Sequence, residues 1–420
     1  MTTHNVKIKL ASELMHCAKI SGNSEQKASS LVKVPQICLS LAENILSLQY
    51  QPQPYQHFAV TEPKLREIYA PSFQDRIAQM WVVSQLTAAM EKRMIDDTYA
   101  NRKGKGSLAA ITKTQKLMRQ PKHKWGMQLD IYSYFNHIDK AILLKHLELL
   151  VSQCDFSPLR TTCLVSLMKE IIMHDTARAA RTISGDRSLL DSIPVHKRLS
   201  FQPSGKGLPI GSVTSQLFGN YYLNGLDHYI KHTLRVKGYV RYMDDLLLLS
   251  GNKETLLNWK NSIEQYAQQK LQLKVHPNKV YIGKVIHGFD YLGYKVFGHH
   301  KFIRRTTTKT LIQRLVYFNF LLTPERFLLA PLPPQRGQWA RWAKHNTFPT
   351  ELLSILKAMQ ATINSYYGLL SHANHCQLRK NIYHQDFDQL KRYFIPANAM
   401  YTSIRIRKSV LNKAAIQSYC

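Results

Sequence analysis

Hydrophobic residues along this chain switch between helical and extended spacing, which predicts a mixed fold. Two helices are predicted to begin at Asp139, a plausible N-cap, and at Ser212. Apolar residues at helical spacing predict five further helices, over 36–52, 74–96, 253–270, 301–320 and 350–393. The polar stretch 181–206 and the Pro- and Arg-rich stretch 322–349 are predicted to be loops or long connections.

The predicted strands place acidic residues at their ends. A strand with Asp130 near its end is predicted by an alternating set of apolar residues, Trp125, Met127, Leu129 and Ile131. The apolar runs 238–243 and 246–249 flank an Asp-Asp pair and predict a tight hairpin, and 271–275 is predicted to be a short strand. Strands and helices in this order predict a small antiparallel sheet backed by helices, an α+β fold.

The charge balance points to a polyanionic partner. The chain has 57 Lys and Arg against 27 Asp and Glu, a net charge of +30, while 44% hydrophobic residues exclude bulk disorder. Residues 301–420 hold 18 basic and 4 acidic residues, a balance of +14, and aromatic residues such as Tyr317 and Trp339 lie among them. This mixture suits phosphate contact and base stacking, so nucleic acid is the predicted partner, with a solvated basic surface as the alternative.

The predicted location is the cytoplasm. No apolar run reaches the roughly 18 residues of a membrane helix, so no membrane association is predicted, and the start of the chain lacks the pattern of a secretion signal. The six cysteines contain no CxxC pair and no metal-ligand spacing, as in a protein of a reducing compartment.

Adjacent carboxylates in the predicted hairpin are the strongest chemical signal. Asp244 and Asp245 repel one another between strands that exclude water, and a divalent cation would offset that repulsion. Asp130, at the end of its own strand, could add a third carboxylate, and such hard oxygen ligands suit Mg²⁺. Two ions would serve an in-line phosphoryl transfer. The alternative is an ordinary polar turn, in which Asp is common.

On these residues the chain resembles the reverse transcriptase family. Tyr242-Met243-Asp244-Asp245 is similar to its active-site box, and residues 130–135 are similar to the motif with its first catalytic Asp. The resemblance implies that Asp130, Asp244 and Asp245 are the catalytic residues. It further implies that the same three residues and Ile131 bind two Mg²⁺ ions, for which Mn²⁺ can substitute. It also implies that Phe135 is a steric gate against ribonucleotides, the alternative being a core aromatic.

Further segments extend the resemblance over about residues 40–380. Residues 62–76 resemble the fingers segment, 207–216 the nucleotide-pocket loop and 291–294 the primer grip. The implied nucleotide contacts are, besides Phe135, Lys64, Arg66, Ile210, Gly211, Gln216 and Lys279. The predicted nucleic-acid contacts are Arg76, Arg102, Lys103, Lys105, Tyr291, Leu292, Gly293 and Tyr294. For Lys64, Arg66 and Lys279 a solvated surface charge is the alternative.

The resemblance implies a right-hand polymerase. The predicted parts are an N-terminal extension (1–35), fingers (36–120), a palm (121–295) with a loop insertion at about 181–206, and a basic helical thumb with the C-terminal region (296–420). The implied activity is RNA-directed DNA synthesis, with template RNA, primer, cDNA and deoxynucleotides as partners.

The pattern Ile210-Gly211 followed by Ser215-Gln216 resembles the reverse transcriptases of diversity-generating retroelements. That subgroup implies error-prone copying and a small basic accessory protein. Two alternatives stay open: an antiphage-defence reverse transcriptase with a partner non-coding RNA, and a non-catalytic nucleic-acid-binding protein on a polymerase scaffold.

Overall fold

The computed structural model describes residues 3–21, 33–61, 64–322, 352–373 and 375–417. These residues form two compact units. Unit 1 comprises residues 1–113 and 120–284, and unit 2 comprises residues 114–119 and 285–420. The predicted division into fingers, palm and thumb stays a prediction.

Helices surround the sheets of unit 1 and carry their apolar residues inward. Their bounds are α1 Thr3–Ser21, α2 Val34–Leu46, α3 Phe73–Arg93, α4 Ser107–Met118, α5 Tyr134–His137, α6 Lys140–Ser152, α7 Pro158–Met173, α8 Arg187–Asp191, α9 Val213–Tyr222, α10 Asn224–His228 and α11 Lys253–Leu271. The Asp139 carboxylate caps α6 by accepting from the backbone N–H groups of Ala141 and Ile142 at 3.1 Å, as the sequence predicts. The last residues of α4 belong to unit 2.

A four-stranded antiparallel sheet forms the centre of unit 1. Its strands are β3 Trp125–Asp130, β5 Gly238–Tyr242, β6 Asp245–Ser250 and β7 Tyr281–Lys284, in the order β5-β6-β3-β7. Leu246 to Leu249 are all buried, because helices cover this sheet and its strands have no polar face there. The predicted α+β class, with a small antiparallel sheet backed by helices, is confirmed.

A second sheet joins an early hairpin to the predicted insertion. Strands β1 Tyr55–Val60 and β2 Arg66–Ala70 pair antiparallel, and β4 Arg181–Ile183 pairs parallel to β1. The prediction of 181–206 as a loop is therefore wrong in part, since this stretch also contains α8 and two 3₁₀ turns. Its three-residue strand is too short for alternation to reveal it.

Unit 2 combines small sheets with helices. Strands β8 Phe289–Tyr291, β9 Tyr294–Val296 and β10 Lys301–Ile303 form one antiparallel sheet, and β11 Phe394–Pro396 pairs with β12 Ile404–Ile406. The helices are α12 Arg305–Leu321, α13 Leu352–Ser371, α14 Cys376–Asp386 and α15 Lys408–Gln417. Leu311, Phe318, Met359 and Tyr367 are among its fully buried residues.

Several predicted element bounds are wrong. Residues 271–275 are not a strand: α11 runs to Leu271, Gln272 ends it with φ of 53°, and only Val275 bridges to Ile131. Residues 301–320 begin with β10 before α12, and 350–393 divide into two helices and a 3₁₀ turn. The helix from Ser212 ends at Tyr222 and is followed by α10 and a π turn. Of the predicted connection 322–349, residues 323–349 lie outside the described residues.

A buried ion pair links α10 to the central sheet of unit 1. The Arg241 and Asp227 side chains are both 0% exposed, and two guanidinium nitrogens donate to the carboxylate at 2.8 and 2.5 Å. Tyr239 also donates to Asp227, and Arg241 donates to the side-chain and backbone oxygens of Asn220 at 3.0 Å. All of these hydrogen-bond partners are groups of the protein itself. Removal of one therefore leaves the remaining charged or polar groups buried without a partner for that bond.

We expect Asp227→Ala to lower the free energy of unfolding by about 3–5 kcal/mol, because it leaves the Arg241 charge buried and unpaired. Chemical denaturation followed by circular dichroism measures the loss. The control is Lys260→Ala, which removes the partly exposed pair with Glu264 and is expected to cost less than about 1 kcal/mol. Equal losses in the two variants would contradict the assigned role.

Candidate active site

Two strands of the central sheet bring the acidic residues of the predicted site together. Asp130, the last residue of β3, lies opposite Asp245, the first residue of β6. Asp244 lies in the turn between β5 and β6, and its carbonyl oxygen accepts from the Ile131 backbone N–H at 3.3 Å. Residues more than 100 positions apart in sequence therefore meet at one end of the sheet.

The shape of the turn depends on Arg241. Its guanidinium donates to the Met243 carbonyl oxygen at 2.9 Å, and the same side chain forms the buried pair with Asp227. Met243 has φ of 57°, in the left-handed region that a residue with a side chain adopts at a cost. The buried pair thus fixes the peptide that precedes Asp244.

Asp244 and Asp130 interact directly through their carboxyl groups. Burial, the negative charge of Asp130 and a hydrogen bond between the two side chains raise the pKa of Asp244 to about 6. Lys279 opposes this effect and forms an ion pair with the Asp130 carboxylate. The His276 backbone N–H donates to the Asp130 carbonyl oxygen at 2.7 Å, which holds the segment before Lys279 beside β3.

The donor set at this turn fits a divalent cation. Two neighbouring carboxylates, one with a raised pKa, leave negative charge that a hard cation such as Mg²⁺ would balance. Asp130 and Asp244 would hold it, with Asp245 and the Ile131 backbone beside them. Among the described residues, no three or more His, Cys, Asp or Glu side chains already converge in a geometry that could hold a metal ion.

Phe135 lies on the short helix α5, which begins four residues after Asp130. Its ring is partly buried and packs on Gly219 of α9, where an added Cβ would lie 2.9 Å from a ring carbon. The Leu208 backbone N–H donates to the Phe135 carbonyl oxygen at 2.8 Å. The ring therefore contacts the core along one side, and its role as a gate stays a prediction.

The hairpin of β1 and β2 contacts the predicted nucleotide-pocket loop. The Tyr69 backbone N–H donates to the Ile210 carbonyl oxygen at 2.8 Å. Gly211 has φ of 125°, and a Cβ there would lie 2.5 Å from the Tyr69 carbonyl oxygen, so only glycine fits. Lys64 and Arg66 are exposed on the hairpin, and Gln216 is exposed on α9.

The predicted nucleic-acid contacts divide into exposed and enclosed residues. The Arg102 side chain is only 6% exposed, because Glu91 and the carbonyl oxygens of Ile95 and Thr98 accept from it. Lys105 forms an ion pair with Asp96 at 2.5 Å, whereas Lys103 is exposed.

The remaining predicted contacts lie in the first turn of α3 and around the turn between β8 and β9. Arg76 lies half-buried over the Phe73 ring, and burial lowers its pKa. In unit 2, Tyr291 and Tyr294 are buried while Leu292 and Gly293 form the β8–β9 turn with positive φ. The contacts of all these residues with nucleic acid stay predictions.

Sequence reasoning missed two buried groups around the site. Arg241 lies within an otherwise apolar strand. This position is the one sequence signal that its charge is buried and has an ion-pair partner. Glu67 was missed too: its carboxylate accepts from the Leu199 backbone N–H and lies 3.2 Å from the His57 ring, which ties the β1–β2 hairpin to residues 195–201. No spacing in the sequence links Glu67 to Leu199.

Comparison with known proteins assigns the chain to a family. The model of the family described as reverse transcriptase (RNA-dependent DNA polymerase) matches residues 61–296, more than half of the chain. The chain therefore belongs to the reverse transcriptase family. This confirms the predicted family and, with it, the enzyme class of RNA-directed DNA polymerases.

Individual relatives are more distant. The chain is 23% identical to Protein YkfC of Escherichia coli (strain K12) over 330 residues, which cover 69% of this chain and 78% of that protein. A truncated apo telomerase from Candida tropicalis matches with a TM-score of 0.44 and 12% identity, over 64% of this chain and 60% of the telomerase. An RNA-dependent RNA polymerase of a sicinivirus matches with a TM-score of 0.41 and 13% identity, over 69% and 64% of the two chains.

The chain thus spans about three fifths of that telomerase. The family assignment depends on the match over residues 61–296. Within the part of the chain that the structure describes, no helix combines the length and apolar character needed to cross a bilayer.

We expect Asp244→Asn to be more stable than the wild type at pH 8 in EDTA, by about 1–3 kcal/mol. Above pH about 6 the Asp244 carboxylate is ionised and costs folding free energy. Protonation of the native state relieves this cost as the pH falls below about 6, so the difference should shrink at pH 5. Thermal and chemical denaturation at both pH values measure it.

The control is Asp191→Asn, which changes an exposed carboxylate on α8 and is expected to leave stability the same at both pH values. Added Mg²⁺ should raise the melting temperature of the wild type and leave that of Asp244→Asn almost unchanged. A variant less stable than the wild type at pH 8 would overturn this account of the carboxyl pair.

Proposed function

We propose that this protein copies a template RNA into cDNA by metal-dependent nucleotidyl transfer at the turn that carries Asp244. The observation that carries the proposal is the pair of hydrogen-bonded carboxyl groups of Asp130, at the end of β3, and Asp244, in the turn between β5 and β6. Family membership supplies the reaction class, and the net charge of +30 supports an anionic substrate. A scaffold that only binds nucleic acid would gain nothing from two carboxylates held in contact.

The chain's own residues position the reactants. Asp130 and Asp244 would hold two Mg²⁺ ions, with Asp245 in support, and the bound metal would supply positive charge to the phosphates and lower the pKa of the attacking hydroxyl. Arg241 fixes the Asp244 peptide through the Met243 carbonyl group. Lys279, which forms an ion pair with Asp130, would deliver a proton to the leaving pyrophosphate.

Lys64 and Arg66 would grip the incoming triphosphate. Both are exposed on the β1–β2 hairpin, and Arg can contact phosphate oxygens in a bidentate manner. The Ile210 carbonyl oxygen accepts a hydrogen bond from the Tyr69 backbone N–H of β2, so Ile210 and Gly211 lie beside this hairpin. This bond connects the pocket loop to the strand pair that carries the residues proposed to bind the triphosphate. The Phe135 ring would then exclude a 2′-hydroxyl.

A diversity-generating retroelement is the biological setting that we propose. Its support is the residue pattern at Ile210, Gly211, Ser215 and Gln216, where an apolar Ile contributes no hydrogen bond to the base pair. In that setting the partners are a small basic accessory protein, a primer and deoxynucleotides. The 181–206 segment, which adds β4 to the hairpin sheet, also suits a defence enzyme with a partner non-coding RNA.

We expect the wild type to extend a DNA primer on an RNA template with Mg²⁺ or Mn²⁺, and Asp130→Ala and Asp244→Ala each to lose at least about 10³-fold in rate. Single-nucleotide extension resolved on a denaturing gel measures the loss. Asp191→Ala, the exposed-carboxylate control, should extend at the wild-type rate.

Extension that survives in Asp244→Ala would refute the proposed function. Sequencing of the wild-type products then tests the retroelement setting. Errors concentrated opposite template adenines, and reduced by Ile210→Gln, would support it. Uniform, low error rates in both proteins would favour the defence enzyme.

We expect Phe135→Ala to incorporate ribonucleotides about 10–100-fold more efficiently relative to deoxynucleotides, because the truncation opens space for the 2′-hydroxyl. The ratio of kcat/KM for the two sugars measures the change. Phe135→Tyr, which keeps the ring, should retain the wild-type ratio. An unchanged ratio in Phe135→Ala would assign the ring to packing alone.

A further inference from the structure

The hairpin between β9 and β10 carries a cluster of aromatic rings that the proposed function does not use. Phe297 and His300 stack with centroids 4.5 Å apart, and the Phe302 ring lies 5.0 Å from that of His300. Phe302 also stacks on His375 at 5.8 Å and 27°. We call these four residues the Phe302 platform. Phe302 is 48% exposed, so a flat apolar ring faces solvent within it.

The platform is held in place by polar contacts to its backbone. The Gln115 side-chain amide donates to the carbonyl oxygens of Phe297 and His300 at 3.0 and 3.1 Å. The His375 Nε2 atom accepts from the Ile303 backbone N–H at 3.0 Å, and burial lowers the pKa of His375, which favours this neutral acceptor. Rings fixed in this way lose little further freedom when a ligand stacks on them.

The segments of the chain that contain or contact the β9–β10 hairpin are strongly basic. Residues 114–119 and 285–310 hold seven Lys and Arg and one Asp, so their net charge is 7 − 1 = +6. The Asp is Asp290, 4.0 Å from the Arg304 guanidinium. An exposed ring within a positive field is the combination that binds the bases and phosphates of an unpaired strand. An apolar protein partner would pack on the Phe302 ring but would gain nothing from the positive charge around it.

We infer that the Phe302 platform stacks bases of an unpaired RNA segment. The inference depends on the proposed function, in which RNA is the strand that is copied and therefore carries unpaired bases. Bases inside a duplex are covered by their neighbours and cannot stack on a side chain. Strand β9 separates the platform from the Leu292–Gly293 turn by three residues, about 10 Å, so one strand could contact both.

The test is binding of a labelled 12-nucleotide adenylate RNA by fluorescence anisotropy, in the full chain carrying Asp244→Ala so that no chemistry occurs. Phe302→Ala and Phe302→Leu should each raise Kd about 5–50-fold, since Leu is apolar but has no ring. Phe302→Tyr should bind as well as the parent. The control is Val316→Ala on α12, which removes another exposed apolar side chain of unit 2 and should leave Kd unchanged.

A blunt RNA duplex of the same length should bind the parent and Phe302→Ala equally. The inference is overturned if Phe302→Ala binds single-stranded RNA as the parent does. It is also overturned if the loss is equal for the duplex, or is confined to single-stranded DNA. Melting curves show that the variants fold. Primer extension by the wild type tests the proposed function separately, because a protein that fails to extend could still show the Phe302 effect.

Discussion

The buried ion pair between Arg241 and Asp227 is the interaction on which the rest of the site depends. A guanidinium excluded from water needs its full set of acceptors, and here these come from α9, α10 and the β5–β6 turn. The helices behind the sheet and the turn in front of it are therefore fixed to one another by a single side chain. The proposed catalytic carboxylates must be held close although they repel, and a rigid turn stabilised from behind meets that requirement without using the carboxylates themselves.

Much of this arrangement could be predicted from local patterns. Alternation identified β3, and the Asp-Asp pair between apolar runs identified the hairpin and the acidic site, because periodicity of two and a tight turn are local properties. The long helices were found for the same reason. The sequence-based prediction was wrong where an element is very short, as with β4, and where a short apolar run forms no strand, as at residues 271–275.

The contacts that could not be predicted are those between distant segments. The bond from Glu67 to Leu199 and the close approach of Gly211 to Tyr69 link parts of the chain more than 130 residues apart, and no spacing rule encodes such pairs. A glycine can indicate that another segment of the chain approaches closely, but it does not identify that segment. Arg102 shows the opposite case. Its place in a Gly-rich basic loop suggests a contact with phosphate, but its side chain is enclosed by the protein and pairs with Glu91.

The two flanks of the β1–β2 hairpin are both occupied. Strand β4 lies along β1, and the backbone at Ile210 bonds to β2 through Tyr69. A hairpin proposed to project charged residues toward a substrate would otherwise expose unpaired backbone groups, which recruit strands from other molecules and promote aggregation. The 181–206 segment pairs with residues 55–57 of β1, which shortens the open edge of that six-residue strand to residues 58–60. That segment therefore reduces the backbone edge through which another molecule could pair with this sheet.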